Sequence, residues 1–316
     1  MAIQWYPGHM HKAQKEMKQV IARMDVIIEV IDARIPYSST NPVIAELSNF
    51  KGLVCPVIKL MNKADLADPE ISALWQQHFE LNQNTRALAL IANQNFTSEK
   101  RKIIELIKKM VPTKATADKP VNAMIMGIPN VGKSTIINAL AERKIAKVGN
   151  EPAVTQRQQR IDLEDNIILY DTPGILWPKI ENENSAYRLA ITGAIKDTAL
   201  SYDEVAFYLV EYLQSAYPEL LSTHYGLDEN QFAAQAEVID IIEAIGRKRG
   251  SLKAGGRIDI DKVSKLIVHE YRQAILGQIS LETPDMVAVE LIEVEEKIRL
   301  KEEQKQARKQ AFKKRS

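Results

Sequence analysis

The chain has 316 residues, roughly twice the length expected of one domain, so two domains are the first expectation. Its 42 lysines and arginines stand against 41 aspartates and glutamates, and a net charge of +1 identifies no partner. The single cysteine, Cys55, excludes an internal disulfide and a cysteine-based metal site, and its apolar neighbours predict a small buried residue. No basic stretch followed by an apolar one opens the chain, and no apolar run approaches the ~18 residues of a membrane span. We therefore expect a protein of the reducing cytoplasm with no membrane partner.

The first half of the chain alternates between helical and strand patterns. Residues 10–24 place apolar side chains at a helical period and predict an amphipathic helix. Short apolar runs then predict strands at 26–31, 53–60, 87–92, 123–126 and 167–170. Buried strands separated by helices are typical of a doubly wound, mostly parallel α/β sheet, which we expect to occupy residues 1–178.

The second half is helical in pattern. After a polar connector at 180–184, helices are predicted at 185–197, 203–215, 229–247, 259–276 and from 286 onward. The expected fold class is therefore an α/β domain followed by a smaller all-α domain, residues 179–316.

The C-terminal segment, residues 297–316, is strongly basic. It has two acidic residues and a net charge of +7, so the remainder of the chain carries about −6. A basic terminal helix or tail is an electrostatic footprint for phosphate backbones, and a solvated tail without a partner is the open alternative. The basic residues are Lys297, Arg299, Lys301, Lys305, Arg308, Lys309, Lys313, Lys314 and Arg315.

Residues 127–134 read GIPNVGKS and match the phosphate-binding pattern G-x-x-x-x-G-K-[ST]. The match lies between a predicted strand and a helix predicted at 135–143, where backbone N–H groups and the helix N-terminus favour phosphate. Lys133 is predicted to contact the β and γ phosphates, and Ser134 is predicted to ligate Mg²⁺. The predicted nucleotide-binding residues of this P-loop are Asn130, Val131, Gly132, Lys133, Ser134 and Thr135.

Residues 171–174 read DTPG and follow the predicted strand 167–170. The pattern D-x-x-G alone is weak, because many chains contain it as a turn, but the preceding P-loop favours a functional interpretation. Asp171 then holds Mg²⁺, directly or through water, and the N–H of Gly174 faces the γ-phosphate. Thr155 is the candidate for closing over the γ-phosphate and Mg²⁺, with an ordinary surface-loop threonine as the alternative.

Residues 62–65, NKAD, follow a predicted strand and form a candidate guanine motif. The Asp65 carboxylate can accept hydrogen bonds from N1–H and the 2-amino group of guanine, which is a charge-assisted pair that adenine does not offer. Asn62 is expected to serve the other side of the base, and the stem of Lys63 is expected to pack along it. Ile91 and Ala92 occupy the expected base-backing position, although their sequence matches the usual Ser-Ala-Lys poorly.

The order of these motifs is unusual. In an ordinary GTPase the guanine motif follows the other two, whereas here it precedes them, so the nucleotide domain is predicted to be circularly permuted. Parallel sheets tolerate such rearrangement because chain termini and loops lie at the surface. The 171–174 loop now leads directly into the helical domain, and we expect hydrolysis to move that domain relative to the sheet.

Together, residues 5–10 (WYPGHM), 32–36 (DARIP) and 171–178 (DTPGILWP), with the P-loop and the guanine motif, resemble the ribosome biogenesis GTPase A family, also called YlqF. The resemblance runs the length of the chain, although Ala153 stands where the family typically has glycine. It implies a bacterial cytoplasmic factor that binds a large ribosomal subunit precursor, and we expect the protein to be a monomer away from the ribosome. It also implies contact of the C-terminal helical domain with rRNA and hydrolysis of GTP on maturation.

Hydrolysis needs a group that orients the attacking water. Ile175 and Leu176 follow Gly174, and neither can hydrogen-bond water as a glutamine does in Ras-like proteins. The family resemblance nominates His9 as the catalytic residue, with a structural N-terminal histidine as the alternative. Asn130 resembles the asparagine that ligates K⁺ in potassium-stimulated relatives.

The leading interpretation is a ribosome-dependent GTPase that uses GTP/GDP, Mg²⁺ and K⁺. An RNA-binding scaffold with a structural nucleotide, and a GTPase acting on another RNA, stay open as alternatives. Asp32 and Arg34, after the first predicted strand, fit an interaction role and a buried ion pair equally well.

Overall fold

The fold is described from a computed structural model, and six strands form one sheet within its described residues. The described residues are 21, 23–42, 44, 55–92, 96–112, 119–143, 145, 159–171, 180–195, 201–228 and 236–313. The strands are β1 (Val26–Asp32), β2 (Val57–Asn62), β3 (Thr85–Ala89), β4 (Val121–Gly127), β5 (Gln159–Asp162) and β6 (Ile167–Asp171). Their order is β3-β2-β1-β4-β6-β5, and every pair is parallel except β5 with β6.

The central strands are buried on both faces, which is why their sequences are mostly apolar and do not alternate, and the buried charges of Glu29 and Lys59 pair with each other. All seven residues of β1 and all six of β2 are buried. The predicted α/β fold class is therefore confirmed. β5 was not predicted, because only Ile161 of its four residues is buried and the other three are polar, as suits a short edge strand.

Several boundaries differ from the sequence prediction. The strand predicted at 53–60 begins at Val57 and continues to Asn62, and the strand predicted at 87–92 lies at Thr85–Ala89. The helix predicted at 135–143 begins two residues earlier and ends at Leu140. The helix predicted at 10–24 falls almost wholly outside the described residues.

Three helices accompany the sheet: α1 (Pro69–Glu80), α2 (Thr97–Met110) and α3 (Lys133–Leu140). Asp68 caps α1 by accepting hydrogen bonds from two backbone N–H groups of the first turn, and Pro69 occupies the first turn, where no N–H partner is needed. The Trp75 side chain of α1 is fully buried against the sheet cluster that contains Ile31 and Met61.

Six further helices follow the sheet within the described residues. They are α4 (Glu183–Ile191), α5 (Tyr202–Ala216), α6 (Pro218–Tyr225), α7 (Val238–Lys248), α8 (Ile260–Arg272) and α9 (Pro284–Lys313). This region is helical as predicted, with α5 packed on α8, α7 and α4. The separate helix α6 was missed, and α4 begins inside the predicted connector because Asn182 caps it. Within the described residues, every helix is too short or too polar to span a lipid bilayer.

Glu282, in the segment before α9, is a fully buried carboxylate. It accepts hydrogen bonds from the backbone N–H groups of Tyr37 (2.5 Å) and Ser38 (2.9 Å) and from the Ser38 hydroxyl. The guanidinium of Arg188 on α4 lies 3.3 Å from Glu282 and 2.5 Å from Glu290 of α9. Burial raises the pKa of Glu282, although Arg188 and the Ser38 hydrogen bonds oppose this effect. The cluster ties the turn after β1 to two helices of the helical region.

Replacing Arg188 with alanine is expected to destabilise the fold by about 3–5 kcal/mol, because Glu282 stays buried without its cation. A raised folded-state pKa favours the protonated carboxyl in the folded protein. The stability that protonated Glu282 contributes is therefore present at low pH and is lost as the pH rises through its folded-state pKa. The stability lost in Arg188→Ala should accordingly shrink as the pH falls, because a protonated Glu282 needs no cation. Urea unfolding at several pH values measures it.

The double variant Arg188→Ala/Glu282→Gln is the matched control, because it leaves no uncompensated charge at position 282. It should regain part of the stability lost by Arg188→Ala. A single Arg188→Ala variant as stable as the wild-type protein would contradict the role assigned to this ion pair.

Candidate nucleotide-binding site

The three motifs lie at one edge of the sheet. Asn62 ends β2, Gly127 ends β4 and Asp171 ends β6, and these strands together with β1 are neighbours in the sheet. Because the strands are parallel, their carboxyl ends meet at the same edge, which is where open α/β sheets bind ligands. The permuted order of the motifs along the chain therefore does not separate them in space.

The P-loop takes its shape from two glycines and one asparagine. A Cβ on Gly127 would lie 2.5 Å from the carbonyl oxygen of Val30 on β1, so only glycine fits where the loop leaves β4. Gly132, the N-cap residue of α3, has a φ of +89°, and Asn130 has a φ of +65°. Left-handed backbone at these positions turns the loop so that its N–H groups converge. Ser134 and Thr135 follow Lys133 in the first turn of α3.

Asn62 braces the P-loop from the guanine motif. Its Nδ2 donates to the carbonyl oxygen of Val131 at 2.8 Å, and its Oδ1 accepts from the N–H of Ala92 at 3.3 Å. The side chain is buried, and a Cβ added to Gly132 would overlap its amide. This amide therefore joins the P-loop to the predicted base-backing loop, in which Ile91 is exposed.

Lys63 connects three segments of the site. It has a φ of +63°, and its Nζ lies 2.8 Å from the Asp32 carboxylate and 2.7 Å from the carbonyl oxygen of Asn130. Burial lowers the pKa of Lys63, while the Asp32 charge opposes this effect. The long stem of Lys63 thus extends from the guanine motif to the P-loop, as a base-covering side chain must.

Asp32 and Arg34 form a buried ion pair. Arg34 Nε and Nη2 donate to the two carboxylate oxygens of Asp32 at 3.0 and 2.8 Å, and both side chains are at most 3% exposed. Burial would raise the pKa of Asp32, but the charges of Arg34 and Lys63 hold it well below its usual range. The sequence left open an interaction role and a buried ion pair for these two residues, and the structure shows the buried ion pair.

Asp65 is exposed, as a residue that reads a base must be. Its loop is held by a hydrogen bond from the N–H of Ala64 to the carbonyl oxygen of Leu90 (3.2 Å). The carbonyl oxygen of Asp65 itself accepts a hydrogen bond from Gln278 Nε2 at 3.1 Å, more than 200 residues away in the chain. The sequence analysis did not identify Gln278, because no local pattern links it to the motif.

Lys133 and Asp171 form an ion pair at the phosphate end of the site. Asp171 is fully buried and Lys133 is 6% exposed. Burial lowers the pKa of Lys133, and the Asp171 carboxylate opposes this effect. The two groups predicted to hold phosphate and Mg²⁺ are therefore in direct contact.

The remaining predicted residues divide into two sets. Asn130 donates from Nδ2 to the carbonyl oxygen of Gly193 at 2.6 Å, which links the P-loop to the end of α4. His9, Thr155 and Gly174 lie outside the described residues, so their predicted roles stay predictions.

Comparison with known proteins assigns the family. A family model described as 50S ribosome-binding GTPase matches residues 122–243, which begin in β4 just before the P-loop. The ribosome biogenesis GTPase A of Priestia megaterium is 42% identical over 290 residues, covering 90% of this chain and 98% of the relative. The chain belongs to the ribosome biogenesis GTPase A family.

Solved structures agree with this assignment. A GDP-bound structure of TM YlqF is 25% identical, with a TM-score of 0.59, and the match covers 85% of this GTPase and 99% of that chain. GNP-bound YlqF from T. maritima, also 25% identical, has a TM-score of 0.57 and covers 87% and 99% of the two chains. The resemblance stated from the motifs is thus confirmed.

Substituting Gly132 with alanine is expected to reduce nucleotide binding by this GTPase at least 10-fold, roughly the effect of ~1–3 kcal/mol of backbone strain. The added Cβ would combine a strained positive φ with an overlap on the Asn62 amide, and so would separate the P-loop from the guanine motif. Titration with a fluorescent GDP analogue measures the change.

Gly250→Ala is the matched control, because Gly250 also has a positive φ (+63°) but meets nothing within 4 Å. That variant should lose a little stability and keep its nucleotide affinity. Equal affinities of the two variants would contradict the importance of the Gly132–Asn62 contact.

Proposed function

We propose that this GTPase is an assembly factor for the large ribosomal subunit, which binds GTP at the carboxyl edge of its sheet and hydrolyses it during assembly. The observation that carries the proposal is the convergence of the P-loop, the guanine motif and Asp171, joined by the side chains of Asn62 and Lys63. The names of the relatives supply the ribosomal context. We also propose that the protein works in the cytoplasm and is a monomer when it is not bound to the ribosome.

In this proposal Asp65 reads guanine and Lys133 neutralises the β and γ phosphates. When nucleotide binds, the ammonium of Lys133 would move from the Asp171 carboxylate to the phosphates. The carboxylate would then be free to hold Mg²⁺. Charge-assisted contacts of this kind position the γ-phosphoryl group and stabilise the negative charge that develops on it.

The cation sites follow from the type of donor. Among the described residues no group of three or more His, Cys, Asp and Glu side chains could hold a metal, so Mg²⁺ would depend on the nucleotide's own phosphates as well. Ser134, Asp171 and Thr155 supply the hard oxygen ligands that Mg²⁺ prefers, and the ion would neutralise phosphate charge. Asn130 would contribute an amide oxygen to K⁺, and His9 would orient the attacking water.

The site also has a route to the helical region. Asp171 precedes the chain segment that leads to α4, and α4 contains Arg188 of the buried Glu282 cluster. Asn130 contacts the carbonyl oxygen of Gly193, just beyond the C-terminal end of α4 and close to Arg188 in the chain. Loss of the γ-phosphate would therefore act on a helix whose C-terminal end contacts both the P-loop and the Glu282 cluster, which suits a switch read by a ribosomal partner.

Guanine specificity is tested by Asp65→Asn. GTP affinity should fall on the order of 100-fold, because two charge-assisted hydrogen bonds are lost. Affinity for xanthosine triphosphate should rise, since its 2-keto group accepts the new amide donor. Competition binding with both nucleotides measures the exchange, and Glu70→Gln, an exposed carboxylate at the start of α1, is the control. Unchanged GTP affinity in Asp65→Asn would remove the proposed role.

The basic end of α9 is the candidate RNA surface. Lys297, Lys301, Lys305 and Arg308 are all exposed, and their spacing of four, four and three residues places them on one face of the helix. Arg299 points elsewhere and pairs with Glu296 at 3.5 Å. The basic face can therefore follow a phosphate backbone without an intervening carboxylate.

Replacing these four basic residues together with glutamine should weaken binding to large-subunit precursors. The slope of log affinity against log salt should flatten by about 3, because each lost phosphate contact removes about 0.7–0.9. Co-sedimentation at several salt concentrations, with GTP and with a non-hydrolysable analogue, measures the slope and also separates a switch from a scaffold with a structural nucleotide.

Arg299→Gln is the control, because its charge is already paired along the helix. It should change the salt slope by clearly less than the ~0.7–0.9 expected for one lost phosphate contact. If the four-residue variant kept the wild-type affinity and slope, the basic segment would be a solvated tail.

A further inference from the structure

The segment between α8 and α9 crosses the guanine motif. We refer to residues 278–282 as the strap. Its last four residues, Ile279, Ser280, Leu281 and Glu282, are each at most 1% exposed, whereas the Gln278 side chain is exposed at the rim. A buried segment without regular secondary structure must have partners for its backbone polar groups.

Three successive residues of the strap contact the loop that presents Asp65. Gln278 Nε2 donates to the carbonyl oxygen of Asp65 (3.1 Å), and the N–H of Ile279 donates to the carbonyl oxygen of Leu66 (3.1 Å). The hydroxyl of Ser280 accepts a hydrogen bond from the N–H of Asp68 at 3.2 Å. The strap therefore fixes both peptide groups that follow the Asp65 side chain.

Tyrosines of the helical region hold the strap from behind. The hydroxyl of Tyr212 donates to the carbonyl oxygen of Ser280 at 3.0 Å. The hydroxyl of Tyr217 accepts from the N–H of Ser280 at 3.3 Å and donates to the Asp68 carboxylate at 3.1 Å. Burial raises the pKa of Tyr217 to about 12, so this hydroxyl keeps its proton at neutral pH. The helical region thus contacts the loop through both the strap and a side chain.

The strap also contacts the turn after β1. The N–H of Leu281 donates to the carbonyl oxygen of Arg34 at 2.8 Å. Arg34 pairs with Asp32, and Asp32 in turn holds Lys63 of the guanine motif. The same five residues therefore support the guanine motif on both sides of Asp65.

We propose that the strap is the positioning element for guanine selectivity, so that the helical region sets how well the nucleotide-binding site distinguishes guanine from other bases. The inference rests on the proposed guanine-reading role of Asp65. A bidentate carboxylate pair depends on direction as well as distance, and the exposed Asp65 side chain takes its direction from its backbone. Anchoring the carbonyl oxygens of Asp65 and Leu66 supplies that direction from outside the sheet.

The strap contacts the base end of the site and not its phosphate end. GDP and GTP therefore depend on it equally. By linkage, any guanine nucleotide strengthens the docking of the strap by the same factor as the strap strengthens nucleotide binding. The strap senses whether the site is filled, whereas the loop after Asp171 senses the γ-phosphate.

The test compares GDP with inosine diphosphate, which lacks the 2-amino group but keeps N1–H. Gln278→Ala and Ser280→Ala should each lower GDP affinity about 3- to 10-fold and lower inosine diphosphate affinity less, because a displaced carboxylate loses its bond to the 2-amino group. The ratio of the two affinities should therefore fall. Gln278→Lys, which keeps an N–H donor, should restore the ratio, and Gln273→Ala, exposed beyond the end of α8, should leave it unchanged.

Different results have different consequences. If the wild-type protein binds both nucleotides equally, Asp65 does not read the 2-amino group of guanine, and the proposed bidentate role fails together with this inference. If the wild-type protein discriminates but both strap variants keep its ratio, only the strap inference is overturned. An equal fall in both affinities would likewise overturn it, because that result indicates a general loss of structure.

Discussion

A carboxylate buried among cations organises the site and its surroundings. Asp32 is 2% exposed, and the free energy of burying its charge requires that Arg34 and Lys63 stay in contact with it. Lys63 extends from this carboxylate to the P-loop, and the backbone of Arg34 receives the strap. One ion cluster at the end of β1 therefore fixes the guanine motif, the P-loop and the helical region relative to each other.

The sequence predicted the elements that depend on local chemistry. Central strands such as β1 and β4 were found because burial on both faces makes most of their residues apolar. The P-loop and the guanine motif were found because phosphate and guanine each require particular residue types at fixed spacing. β5 was missed because an exposed edge strand needs few apolar residues, and α6 because Tyr217 and Pro218 divide the helical pattern into short pieces.

The contacts that complete the site could not be predicted in the same way. Gln278 is an exposed glutamine in an ordinary connection, and nothing near it in the sequence indicates that its amide contacts Asp65. Glu282 could not be predicted either. A glutamate after an apolar residue resembles the start of an exposed helix, yet this side chain is fully buried. Both depend on tertiary packing between distant segments. The predicted domain boundary at residue 178 lies outside the described residues and stays a prediction.

The contacts that support the guanine motif can form only in the order in which their partner residues are translated. The P-loop residues that Asn62 and Lys63 contact lie 69 and 67 residues beyond them in the chain, and Gln278 lies 213 residues beyond Asp65. Domains fold as they leave the ribosome, N-terminal parts first, but contacts between such distant residues must wait for the later partner. A nascent chain that ends before the strap therefore has all three nucleotide motifs without their full set of supports. The protein reaches its complete nucleotide site only when the strap, residues 278–282, has been translated.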